Sequence, residues 1–313
     1  MNDISRVPPA SKPATLAKPS KSRRTVVGRR RWVGAAVAAV IAVGGGIGVL
    51  AATGGNDADA EASGATAGPY VGGDLHVLTA LQGKLYVGGH DGGAVSTDGG
   101  NTWAQLPSLK GTDPMGVAAT EETTLIGGHP GLYQSDDGSS FTKVTGEGAL
   151  DDVHALGGSD EILYAGTTQG GLQVSEDGGK SWTTRNGEVG RSFMGVILVD
   201  PADPKRLIVP DMANGLVSSN DGGRTWTALG GPGAAMAAAW DPTNTERVVA
   251  VGMAESAISS DGGETWTALT VPEGTTAAAF SPDGQTLYAA ALSGTNATVY
   301  ASSDEGQSWT NLT

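Results

Sequence analysis

An eight-residue stretch, STDGGNTW at residues 96–103, returns five more times along the chain at nearly even intervals. The later copies end at Phe141, Trp182, Trp226, Trp266 and Trp309, which spaces the final aromatics 38, 41, 44, 40 and 43 residues apart. Such a chain is a repeat protein, built from a unit that cannot bury its own apolar faces and must stack on copies of itself. In each copy an acid (Asp98, Asp136, Asp177, Asp221, Asp261 or Asp304) can accept backbone N–H bonds. Glycine beside it supplies backbone angles that other residues resist, so each copy reads as a tight turn between strands. The aromatic (Trp103, Phe141, Trp182, Trp226, Trp266, Trp309) opens the next strand and is expected to point into the core. A period near 40 with four short strands per unit predicts an all-β fold, a six-bladed β-propeller over residues 70–313.

These stretches resemble the Asp-box, or BNR repeat, of sialidases, sortilin-type receptors, some glucan hydrolases and photosystem assembly factors. The pattern Ser-x-Asp-x-Gly-x-Thr/Ser-Trp is matched in five copies; the copy ending at Phe141 puts Gln134 in the serine position and Phe for Trp. Bacterial exported propellers labelled glycosyl-hydrolase-like are the nearest in kind. The resemblance implies the fold and places the boxes on the outer turns, away from the functional face; it says little about chemistry.

Ahead of the repeats the composition changes. Nine of the nineteen Lys and Arg fall within residues 1–31, against one acid, Asp3, so the rest carries ten basic and 32 acidic residues, a net of −22. Such a surface disfavours nucleic acid and suits cations or simple solubility. Residues 1–31 read as a disordered basic leader, and residues 32–53 as an apolar segment opening at Trp32, whose uncharged run of twenty residues is long enough to span a bilayer. Residues 54–69 read as a flexible linker. Two readings of the apolar segment stand side by side: a retained transmembrane signal-anchor, or an export signal cleaved near Ala67, since Arg23 and Arg24 resemble a twin-arginine motif. In both the propeller lies outside the cytoplasm, held at a bacterial cell membrane or secreted. The chain has no cysteine, which excludes disulfides and thiolate chemistry.

In a propeller the inner strand of each blade runs from the top face downward, so functional residues are sought where top loops converge on the channel mouth. A sialidase needs clustered arginines there. Arg206 and Arg247 instead precede second strands at the bottom, Arg224 sits inside a box, Arg185 is on an outer strand, and only Arg191 is on a top loop. Tyr86, Tyr164 and Tyr288 share one strand position and read as core. The top loops offer Asp74, Asp91, Asp113, Glu147, Asp151, Asp152, Asp211 and Glu255, too many acids to choose a glycosidase pair from.

Histidine and methionine are more selective. Aligned by their boxes, His76, Met115, His154, Met194 and Met236 open the inner strands of blades one to five. His90, His129, Met212 and Met253 fall at or just past the ends of second strands. Imidazole and thioether together suit copper, above all Cu(I), with Asp74 or Asp152 orienting the rings of His76 and His154. The bland alternative is that Met fills an irregular channel and His beside Asp is an ordinary loop pair.

Three function classes follow: a binding or assembly propeller taking a protein or glycan ligand on its top face, a metal-handling protein with copper as the candidate ion, and a glycoside hydrolase. The arginines at positions 29–31 flank the apolar run and predict a cytoplasmic amino terminus. Protease added to intact spheroplasts is therefore expected to digest or release the propeller, and full protection would reverse this topology.

Overall fold

The computed structural model describes residues 68–160 and 162–313. The expected leader, the apolar segment and all but the last two linker residues lie outside the described residues, as does the choice between anchor and cleaved signal. Among the described residues no helix is long and apolar enough to cross a membrane.

Six sheets form in chain order, each of four antiparallel strands in simple sequence, with the third joined by a fifth, parallel strand borrowed from blade four. Their inner strands begin with Leu75–Leu81, Asp113–Ala119, Val153–Ser159, the broken pair Gly195–Val196 and Leu198–Val199, Ala235–Asp241, and Thr275–Phe280. Each inner strand contacts the next around the ring, and that of blade six returns to that of blade one. The second strands are apolar because neighbouring sheets cover both of their faces. Leu85, Tyr86 and Val87 are all buried, and so are Val248, Val249, Ala250 and Val251. The outer strands, such as Ala104–Gln105 and Thr310–Asn311, are two to four residues long and largely polar, which limits exposed edge.

Six hydrophobic clusters make up the core, and each joins two neighbouring blades. The tyrosines at the repeated strand position are buried, as the sequence predicts. Their hydroxyls reach the next blade: Tyr86 donates to the Gly138 carbonyl at 3.0 Å and Tyr164 to the Pro204 carbonyl at 3.0 Å.

In five boxes the serine hydroxyl accepts from the second glycine N–H and donates to the aspartate, as in Ser96 with Gly100 and Asp98, both at 2.8 Å. The same carboxylate accepts the Thr102 N–H at 2.9 Å and the Thr102 hydroxyl at 2.6 Å. The box tryptophans are half-buried rather than fully inside. Four of the five indole N–H groups donate to carbonyls, Trp103 to Gly100 in its own box and Trp309 to Thr270 in the preceding blade, while that of Trp182 has no partner.

The second box is corrected. Its acid is Asp137, not Asp136, and its serine is Ser135, so Gln134 is not in the serine position. Ser135 donates to Asp137 at 2.8 Å, and Asp137 accepts the N–H groups of Ser139 and Ser140, each at 2.7 Å. The loop from serine to aromatic is one residue shorter than in the other copies, and counting back from Phe141 therefore lands one residue early.

The ring closes through backbone hydrogen bonds as well as packing. The segment before blade one bonds to the outer hairpin of blade six: Tyr70 bridges Asn296, and Val71 and Gly72 donate to the Thr295 carbonyl at 3.0 and 3.1 Å.

The inner strand of blade four is the other exception. Met194 donates to Pro210 of its own blade, but Gly195–Val196 then pairs in parallel with Ala155 and Leu156 of blade three before Leu198–Val199 rejoins its own sheet. This excursion touches the inner strands of blades one, two, three and five. Gly195 has φ of +71°, and a Cβ there would lie 3.9 Å from the carbonyl oxygens of His76, Met115 and Met236. It therefore sits near the ring axis and narrows the upper channel.

Two outcomes are expected. Asp137→Asn lowers the thermal midpoint while Asp136→Asn leaves it within error, read by circular dichroism melts. The six box aspartates are held at about 2 by their hydroxyl and N–H donors, below the ordinary carboxyl value. A depressed folded-state pKa gives stability that is full above the unfolded value, about 3.9, and is lost as pH falls through the folded one. The thermal midpoint should thus hold from neutral pH to about 4 and then fall steeply; a flat profile down to about pH 2 would contradict this.

Candidate metal site on the top face

Top-face residues are placed by inner-strand starts and second-strand ends, which the antiparallel order brings together at each blade junction. Within blade one, Leu75 at the start of the inner strand pairs with Gly89 at the end of the second, so His76 and His90 emerge side by side with ring centroids 6.3 Å apart. Across the junction, blade two presents Asp113 at the first position of its inner strand.

These three side chains converge. His76 Nε2 lies 3.2 Å from Asp113 Oδ1, and His90 Nδ1 lies 3.4 Å from Asp113 Oδ2. One ligand atom from each residue falls within 4.8 Å of the others. The His76 side chain is 14% exposed, Asp113 18% and His90 68%, so the group is walled by protein on one side and open on the other. Asp113 Oδ1 is buried and has no hydrogen-bond partner, although an imidazole nitrogen stands 3.2 Å away. Burial works against protonation of His76, but the Asp113 carboxylate, with Asp74 adding to it, raises its pKa above the ordinary imidazole value.

The next junction repeats the arrangement in part. Asp152, two residues before His154, receives His154 Nε2 at 3.2 Å and His129 Nδ1 at 3.5 Å on the same oxygen, Oδ1, which again has no hydrogen-bond partner. Its other oxygen accepts the Thr168 hydroxyl at 2.5 Å. Burial resists ionisation of Asp152, yet Thr168 and the two histidines hold its pKa below the usual carboxylate range.

The nine His and Met positions expected around the channel mouth thus separate. The four histidines form two pairs, each gathered on an aspartate. Met115 is buried, Met194 and Met236 are half-buried, and Met212 and Met253 stand exposed at 67% and 79%. Asp74 Oδ2 lies 3.9 Å from the same His76 Nε2 that stands closer to Asp113. Asp113 is the residue the sequence reading placed only among general loop acids. The signal for it was present: Asp74, Asp113 and Asp152 all stand two positions before an inner-strand slot.

The arginines weighed for a sialidase site are tied elsewhere. Arg206 pairs with Asp200 at 2.9 Å, Arg247 with Asp241 at 3.3 Å and Arg185 with Glu176 at 2.9 Å.

No family model matches this chain, and a search of curated proteins finds no match. Solved propellers are similar in fold. A GH74 enzyme from Niastella koreensis aligns at 17% identity and a TM-score of 0.51 over 78% of this chain and 55% of its own. The GH74 xyloglucanase from Xanthomonas campestris aligns at 17% identity and 0.53, over 78% of this chain and 46% of its own. YCF48 from Cyanidioschyzon merolae gives 15% identity and 0.51 over 79% and 86%. The chain spans about half the length of the two GH74 proteins. At these identities the likeness establishes a β-propeller and nothing of the chemistry.

Proposed function

We propose that this propeller is a metal-binding module displayed outside the cytoplasm, holding a borderline divalent ion, Cu(II) or Zn(II), between His76, His90 and Asp113 on its top face. The observation that carries the reading is the convergence of two imidazole nitrogens and a buried, unpartnered carboxylate oxygen at one blade junction. Tetrahedral coordination at about 2.0–2.2 Å separates ligand atoms by roughly 3.3 Å. The nitrogen–oxygen distances of 3.2 and 3.4 Å, each to a different Asp113 oxygen, lie near that spacing, and one ligand atom from each of the three residues falls within 4.8 Å of the others. Two imidazoles and a carboxylate favour Zn(II) or Cu(II) over Mg or Ca. Cu(I), expected from the thioethers, has Met115 and Met236 as its remaining support, since their backbones adjoin that of His76 around Gly195. The solvent-facing side leaves a coordination position for water or a ligand group.

Binding is favoured over glycoside hydrolysis by how the top acids are spent. Asp113 and Asp152 face histidines, Asp211 accepts from Ser192 and Asn214, and Asp91 accepts from Tyr70 and Gly111. The resemblance to Asp-box proteins fits a scaffold that presents such a face.

Equilibrium dialysis of the full chain against Cu(II), Zn(II) and, under reducing conditions, Cu(I) tests this. One ion per chain is expected, with affinity falling at least about tenfold in His76→Ala, His90→Ala and Asp113→Asn, a loss of about 1.4 kcal/mol or more. Wild type that takes up none of the ions, or the three variants binding as wild type does, would refute the site.

A further inference from the structure

Below Gly195 the channel widens again. The lower halves of the six inner strands enclose a cavity of about 250 Å³ that opens on the box face. Its walls are apolar and come from every blade; near the mouth stand Ala80, Leu81, Pro201, Trp240, Pro242 and Phe280. Val196 and Ile197, from the blade-four excursion, also line it, so the upper end is blind.

The mouth is chemically unusual. Trp240 and Phe280 each offer one side to the cavity while an arginine stacks on the ring, Arg206 at 5.4 Å and Arg247 at 4.8 Å. Both guanidiniums are already neutralised. Arg206 holds Asp200 and Glu246, at 2.9 and 3.3 Å, and Arg247 holds Asp241 and Glu305, at 3.3 and 3.5 Å. Asp200 and Asp241, the residues before Pro201 and Pro242, are buried in these pairs. A ligand carboxylate or ammonium would therefore meet charges already matched within the protein, and would lose its hydration for little in return.

We propose that the blind lower channel binds one small uncharged apolar molecule, larger than benzene and of about two-ring size. A dry cavity of about 150 Å³ lined by Leu, Ile and Phe accepts benzene; this one is larger, mostly apolar in its walls and open at one end. Aromatic residues bordering a mostly apolar interior offer what such a ligand needs, apolar area to bury. The inference is independent of the metal site, which lies on the opposite face.

The neutral fluorophore N-phenyl-1-naphthylamine, titrated into the full chain with a metal chelator present, is the probe. Saturable emission at one probe per chain is expected, with energy transfer from tryptophan. Ala80→Phe, which fills the mouth, and Leu81→Glu, which puts a carboxylate at a half-exposed mouth position, are each expected to weaken binding at least about tenfold. Circular dichroism melts establish that each variant folds, and Leu81→Glu decides should Ala80→Phe not fold. The apolar segment near the amino terminus is common to all three proteins and cancels in the comparison. Unsaturable emission, or folded variants that bind as wild type does, would overturn the proposal. Equal affinity for the anionic 8-anilinonaphthalene-1-sulfonate would overturn the assignment to uncharged ligands.

Discussion

Packing between neighbouring sheets is the interaction on which everything else in this ring depends. No blade has a core of its own: each of the six apolar clusters takes residues from two blades, so a blade removed from the ring would expose both faces. That demand explains why the second strands are almost continuously apolar and why small residues crowd the last two interfaces. Ala237 and Ala239 let the sheets of blades five and six approach closely where Phe280 takes up the room, and Ala277 and Ala279 do so between blades six and one. The polar chain ends are then handled locally. Each box satisfies its turn with its own serine and aspartate, and buried tyrosines carry hydroxyls across to the following blade.

The same junctions create the chemistry. Because a second-strand end of one blade meets an inner-strand start of the next, side chains distant in sequence are delivered to one place without any loop having to fold over. His90 and Asp113 meet this way, as do His129 and Asp152. The carboxylate at each junction is walled by two sheets, and its buried oxygen is left to imidazole nitrogens. Sites built on strand ends are held more firmly than sites on loops, which suits a group whose ligand atoms must keep a spacing of about 3.3 Å.

Much of the fold was legible because repetition multiplies a weak signal: one box is a turn motif, while six in register count the blades and orient their faces. What repetition supports, deviation hides. The second box was misread because the aromatic was used as the ruler and the loop had lost a residue, a change the Ser135–Asp137 spacing shows once the hydrogen bonds are known. Ring closure by the segment before Leu75 leaves no mark in the sequence, because its bonds to Thr295 and Asn296 come from backbone, with no side-chain motif to announce them. The histidine slots were read from the sequence, but their grouping was not, since it depends on which neighbour leans across a junction. Asp113 belongs to blade two and serves histidines of blade one; an alignment that stacks blades on one another sets these residues in different rows.

The blade-four excursion gives the two ends of the channel their different character. Were the inner strand of blade four regular, like its neighbours, the channel would run open from the histidine-bearing face to the box face, and water would wet the lower walls from both ends. Gly195 can take its position because its positive φ and missing side chain allow the chain to leave its own sheet and pass close to the carbonyls of three other blades. Val196 and Ile197 then line the upper end of the cavity. A polar, histidine-bearing upper face and a mostly apolar lower chamber therefore coexist a few residues apart. The separation is set by one glycine and the parallel pairing it makes with blade three.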